Sequence, residues 1–163
     1  MRILGIDCGT AITGWSIVDV PIGQQSSSQG VPKLIELGIV ETHKLTPEQY
    51  RLQELGIGIR ELIAEFKPQQ IAVEDIFFFK NAKTVIKVSQ ARGVVIYEAM
   101  LAGLEYFSYT PPQVKQALTG YGRAEKTQIM SMLKVIFKLN VERLQDDAAD
   151  AVAIAYCHWL TLK

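Results

Sequence analysis

The sequence predicts an α/β fold in which a five-stranded mixed sheet is flanked by helices. Three observations carry that expectation. The first forty or so residues hold three β-rich apolar runs, at 2–7, 13–20 and 33–41, with no helical pattern between them. From residue 47 the apolar period lengthens to helical spacing. Two further short apolar runs, at 70–74 and 105–110, then alternate with helical patterns. Three strands in succession suggest an antiparallel meander. The later alternation of strand and helix adds a mixed sheet with helices on both faces.

The elements follow in order. Residues 2–7 are a short apolar run ending in Asp7, and residues 13–20 (Thr-Gly-Trp-Ser-Ile-Val-Asp-Val) alternate in the manner of a strand. Residues 24–30 are rich in Gln, Ser and Gly and read as a flexible hairpin connection to the third strand. Residues 47–66 place Leu52, Leu55, Ile59, Leu62, Ile63 and Phe66 at helical spacing. Pro47 suits the first helical position behind Thr46 as cap, and Pro68 stops the pattern. Residues 70–74 form a short buried strand that ends in Glu74, and a long helical pattern fills 82–102. The strand at 105–110 is closed by Pro111-Pro112, and helices follow at about 112–118, 125–138 and 147–161. This order matches a ribonuclease H-like architecture, although order alone does not single that architecture out.

A chain of 163 residues fits one domain, here 1–163. With 48% hydrophobic residues it has material for a sizeable core, and with 21% charged residues it is not a disordered chain. There is no long apolar segment of a signal peptide near Met1 and no run of about 18 apolar residues, so a soluble cytoplasmic protein is expected. Cys8 and Cys157 read as free thiols. Cys157-His158 lacks a second ligand pair and makes a poor metal site, and His43 reads as a surface residue. Seventeen basic and seventeen acidic residues give zero net charge, which argues mildly against a nucleic-acid partner. The argument weakens if four acids are sequestered as ligands, because the remaining surface then carries an excess of four positive charges. Lys115, Arg123, Lys126, Lys134 and Lys138 also lie close together in sequence.

Four carboxylates stand out. Asp7 follows Leu4-Gly5-Ile6, where burial is costly without a cation or donors; capping the turn through the amides of Gly9 and Thr10 would account for it equally well. Glu74 ends a buried strand, and the carboxyl ends of such strands are where open α/β sheets place ligands. Asp75 should point to the opposite face. Asp147 and Asp150 are three apart at the head of a helix, so they share a face, with Asp146 as a rival through its i, i+4 relation to Asp150. Complementing the helix dipole explains one acid there but not Asp150 on the rim of the apolar face. Together the acids offer hard oxygen ligands suited to Mg²⁺ or Mn²⁺. Four of them suffice for two ions ~3.5–4 Å apart, an arrangement that supports phosphodiester hydrolysis.

The chain resembles the RuvC family of Holliday-junction resolvases over nearly its whole length. The resemblance rests on Leu4-Gly5-Ile6-Asp7 with Gly9, Thr13-Gly14, Ala72-Val73-Glu74 leading to Phe77, and Lys80-Asn81-Ala82. It continues through Gln90-Ala91-Arg92-Gly93, Gln113-Val114-Lys115-Gln116, the block from Gly120 to Lys126, and Asp147-Ala148-Ala149-Asp150-Ala151. It implies a ribonuclease H-like homodimer, with the helix around 82–102 at its interface, that cuts four-way junctions symmetrically in recombination and repair. It places Asp7, Glu74, Asp147 and Asp150 at the catalytic metal-binding positions, and so favours Asp147 over Asp146. It puts Phe77 where an aromatic stacks on a base, and Lys115 and Lys126 where basic residues meet phosphate. It also implies a RuvA–RuvB branch-migration partner. Cys8 departs from the proline usual in the family after the first Asp. Apart from the resemblance, the Gly120-Tyr121-Gly122 turn suggests that its amides, with Arg123 and Lys126, hold a phosphate.

Three other readings compete, one of them a catalytically idle DNA-binding module, which an intact set of acids makes hard to sustain. A nuclease of the same fold acting on another branched or hybrid nucleic acid shares the acids. An actin-like or sugar-kinase phosphate-binding domain shares the pattern from Gly5 to Thr10, but needs a second such domain that 163 residues do not supply.

Overall fold

The computed structural model describes residues 1–9, 11–21, 30–76, 82–139 and 144–162. Strands β1 (Arg2–Cys8), β2 (Ile12–Asp19) and β3 (Lys33–Glu41) come first, then α1 (Glu48–Phe66), β4 (Gln70–Glu74), α2 (Ala82–Leu101) and β5 (Glu105–Tyr109). The chain closes with α3 (Pro111–Thr119), α4 (Lys126–Phe137) and α5 (Asp146–Thr161). The five strands form one sheet in the order β3-β2-β1-β4-β5. The first three are antiparallel, while β4 pairs parallel to β1 and β5 parallel to β4. The expected mixed sheet is therefore present, with β1 at its centre. The hairpin connection expected at 24–30 falls almost wholly outside the described residues.

Alternation along the strands divides the core. Leu4, Ile6, Ile71 and Val73 face α1 and α2, where Leu55, Ile59, Val88 and Val95 meet them. Ile3, Val18 and Ala72 face the other way, toward α3, α4 and α5. Because β1 and β4 are covered on both sides, their sequences read as continuous apolar runs rather than alternating ones.

Helix α5 lies on the sheet with unusual intimacy. A Cβ at Gly5 would collide with the carbonyl oxygen of Ala151, and one at Gly14 with that of Asp147. Glycine at these two positions, together with the small residues from Ala148 to Ala155, lets the helix backbone rest almost on the strands. The buried hydroxyl of Ser16 donates to the carbonyl of Ala151 (2.9 Å) and fixes the helix lengthwise.

Helix α1 starts one residue later than the sequence suggests. Pro47 is its N-cap, and the Pro47 carbonyl accepts from Tyr50 and Arg51. Thr46 instead closes a turn by donating its amide to the His43 carbonyl (2.9 Å). Cys8 and Cys157 are free, buried thiols belonging to the two opposite core layers. Among the described residues, no helix is long and apolar enough to cross a membrane.

Candidate active site

Asp7 and Glu74 end up side by side because of the register of β1 and β4. The parallel ladder runs to Ile6 opposite Val73, so the next residue on each strand is an acid. Both acids alternate onto the α5 side of the sheet, since Leu4, Ile6, Ile71 and Val73 occupy the other. Helix α5 brings the second pair. Its first turn packs over Gly14, which lies opposite Asp7 in the β1–β2 ladder. At the carboxyl end of the central strands, Asp7 thus comes within electrostatic reach of Glu74, Asp147 and Asp150.

Their electrostatics reflect the crowding. The Asp7 carboxyl is pushed up to about 7 by burial, then by the charges of Glu74, Asp150 and Asp147; Lys126 opposes the shift. Glu74 is pushed up to about 7 by burial and by Asp150, with Lys115 opposing. Asp150 is raised by burial, offset by Lys126 and reinforced by Asp146 and Asp147. A cluster of this kind holds ionised carboxylates at a cost that a cation would relieve.

The cations of the chain relieve it in part. Glu74, Asp150, Lys115 and Lys126 line a crevice of about 200 Å³ between β4, α3, α4 and α5. Lys126, the first residue of α4, sets its Nζ 3.0 Å from Asp146 and 3.7 Å from Asp150. Burial lowers the Lys126 ammonium, but its hydrogen bond to Asp146 and the charges of Asp150, Asp146 and Asp147 outweigh that and raise it. Asp146, the rival of Asp147, is two-thirds exposed and serves as the partner of this lysine.

The donor set fits a divalent metal: four hard carboxylates, partly buried, whose repulsion the protein leaves incompletely neutralised. In the conformation described, no group of three His, Cys, Asp or Glu side chains among the described residues is arranged to hold an ion. The acids share an electrostatic site without forming a closed cage.

Other expectations fare differently. Phe77 lies outside the described residues. Arg123 is exposed on the loop between α3 and α4 and does not line the crevice. The turn at Gly120 offers less to a phosphate than the sequence suggests. The Gly120 amide donates to Gln116 O (2.8 Å) and the Tyr121 amide to Thr119 Oγ1 (3.1 Å), so two of its donors are spent on ending α3. Cys157-His158 is not a ligand pair. Both ring nitrogens of the fully buried His158 are engaged, Nδ1 with Tyr109 Oη (2.7 Å) and Nε2 with Gln70 Oε1 (2.8 Å). Burial pushes His158 down to about 4, so it packs as a neutral ring.

Two features escape sequence reading. The Lys126–Asp146 pair joins residues twenty apart, and no periodic pattern announces it. Arg92 reaches from α2 to Asp75 (3.1 Å), just past Glu74. The placement of an arginine inside a helix face that is otherwise apolar is the signal that could have revealed it.

The family model described as crossover junction endodeoxyribonuclease RuvC matches residues 3–158. The crossover junction endodeoxyribonuclease RuvC of Pelotomaculum thermopropionicum is 46% identical over 158 residues, covering 97% of this chain and 92% of that protein. The protein of the same name from Caldicellulosiruptor saccharolyticus is 42% identical over 161 residues, covering 99% and 93%. Among solved structures, Thermus thermophilus RuvC in complex with Holliday junction substrate superposes with a TM-score of 0.87 at 32% identity, covering 97% of this chain and 92% of that one.

Proposed function

The chain belongs to the crossover junction endodeoxyribonuclease RuvC family and is a Holliday-junction resolvase, and on that premise we propose that Asp7, Glu74, Asp147 and Asp150 are its catalytic metal ligands. The observation that carries this reading is the meeting of Asp7 and Glu74 at adjacent strand ends, with Asp150 close enough to raise both. Nucleases of this family are metal-dependent. Mg²⁺ is the ion we assign, with two ions per subunit during catalysis and Mn²⁺ as a substitute; hard oxygen donors support that choice.

The protein's own residues do the following. Asp7, Glu74, Asp147 and Asp150 present carboxylate oxygens from a rigid sheet and a helix that glycine contacts hold against it. When bound, the metal supplies charge stabilisation at the phosphodiester and a hydrolytic water of lowered pKa. Lys115 and Lys126, on the crevice wall, attract and orient the phosphate backbone. Arg123 extends this basic rim at the surface, and Phe77 stacks on a base beside the crossover.

We assign a homodimer, joined through α2. Ile86, Tyr97 and Leu101 on that helix are 59%, 61% and 64% exposed and lie along one face by their spacing. An apolar stripe of this kind needs a partner, and a second copy would place two sites on opposing strands of a four-way junction. The enzyme acts on DNA in the cytoplasm, on junctions delivered by a RuvA–RuvB branch-migration complex. The test is to offer the protein four-way, three-way, linear duplex and hybrid substrates with Mg²⁺. Paired symmetric nicks confined to the four-way junction are expected. Equal cutting of linear duplex or of hybrid would overturn the reading.

A further inference from the structure

We propose that Arg92 is a positioning residue for metal binding, acting from the opposite side of the sheet through Asp75. The proposal rests on the reading of Glu74 as a metal ligand. Asp75 follows Glu74 directly and faces α2, so the two side chains leave the end of β4 in opposite directions. Rotation of one about the strand axis is therefore rotation of the other.

Asp75 is held on three sides. Its amide donates to Tyr109 O on β5 (2.8 Å), continuing the sheet one residue past the strand. Its Oδ1 accepts the amide of Ile76 (3.0 Å). The same oxygen lies 3.1 Å from Arg92 Nη2. Arg92 Nη2 also donates to the Tyr106 hydroxyl (2.6 Å), and its guanidinium stands over the Tyr106 ring, 5.8 Å from the centroid. The clamp thus ties α2 to the end of β4 and, through the Tyr106 side chain, to the first half of β5.

Stability explains this arrangement poorly. Asp75 is 44% exposed, and a half-solvated ion pair contributes little. Arg92 is only 20% exposed, and its Nε is buried with no hydrogen-bond partner among the described residues. A buried donor left unmatched carries a cost. Groups that orient ligands from behind commonly alter metal affinity without touching the ion, and the geometry assigns that role here.

The test measures Mn²⁺ binding to the full chain without DNA, by electron paramagnetic resonance of the free ion, with thermal melting of the same samples. Cleavage of a four-way junction is followed as a function of Mg²⁺. Arg92→Gln and Asp75→Asn are expected to weaken Mn²⁺ binding roughly 10-fold. Cleavage should recover as Mg²⁺ is raised, which a general loss of structure would not produce. Arg92→Lys keeps a charge for Asp75 and should restore most of the affinity. If Arg92→Gln fails to melt cooperatively, Asp75→Asn, which preserves shape, carries the test. Folded variants that bind Mn²⁺ within about twofold of the parent would overturn the positioning role. Glu74→Gln is measured in parallel. If it leaves Mn²⁺ affinity unchanged, the ligand assignment falls together with the inference; if it weakens binding while Asp75→Asn does not, only the inference falls.

Discussion

Asp7 and Glu74 stand one residue beyond the last paired positions of two parallel strands, on the same face, and each is pushed up to about 7. Neighbouring carboxyls so placed cannot both ionise freely in a partly buried site. That relationship links the register of the sheet to the chemistry of the protein, and it leads to the first expectation.

Without metal, the folded protein should lose stability as pH rises from about 4 to about 7. Both carboxyls have folded values above their unfolded ones, so the folded state binds more protons across that window, and stability present below it is lost above it. At about 1.4 kcal/mol per pKa unit, each carboxyl contributes about 3–4 kcal/mol to that loss. Urea unfolding in chelator at pH 5 and pH 8 measures it, and Asp7→Asn should flatten the difference. An equal pH response in the parent and the variant would show that Asp7 is not strained by its neighbours.

Asp7→Asn should also abolish junction cleavage in Mg²⁺ while leaving junction binding intact. The amide retains the shape of the carboxyl but removes an anionic ligand. Band-shift and cleavage assays on the same four-way substrate separate the two effects. Normal cutting by this variant would refute the metal-site assignment.

Lys126→Gln should move the acidic limb of the cleavage profile to higher pH. The ammonium opposes the upward shift of both Asp7 and Asp150, so its removal lets their values climb further. A displacement of up to about one pH unit is expected at subsaturating Mg²⁺. A profile that keeps its position, with only its height reduced, would assign Lys126 to phosphate contact alone.

Gly14→Ala should cost about 1–3 kcal/mol, as an overpacked position does. The new methyl would meet the Asp147 carbonyl, and α5 would have to move away from the sheet. Because α5 carries Asp147 and Asp150, cleavage should fall more than the melting temperature implies. Thermal denaturation and single-turnover cleavage on the same samples check this.

Tyr97→Glu or Leu101→Glu should convert a dimer to a monomer by burying a charge in the α2 stripe. Sedimentation reports the mass, and a plasmid-borne junction reports whether the two nicks remain paired. A dimer that persists in both variants would move the interface elsewhere.

The order of elements was legible in the sequence because hydrophobic period and proline punctuation are local properties: Pro68 and Pro111 close their segments regardless of what packs nearby. The four acids were legible for a related reason, since Asp7 and Glu74 follow the apolar residues of two strands while Asp147 and Asp150 head an apolar helix. The choice between Asp146 and Asp147 came from family resemblance, because both satisfy the helical spacing. Only the tertiary structure determined that β4 lies beside β1, which makes neighbours of Asp7 and Glu74 although 67 positions separate them. Only it determined that Lys126 faces Asp146, that the Gly120 and Tyr121 amides are consumed in ending α3, and that Arg92 grips Asp75. These are contacts between distant segments. Their geometry depends on strand register and on how closely α5 settles over Gly5 and Gly14, and no local pattern encodes either.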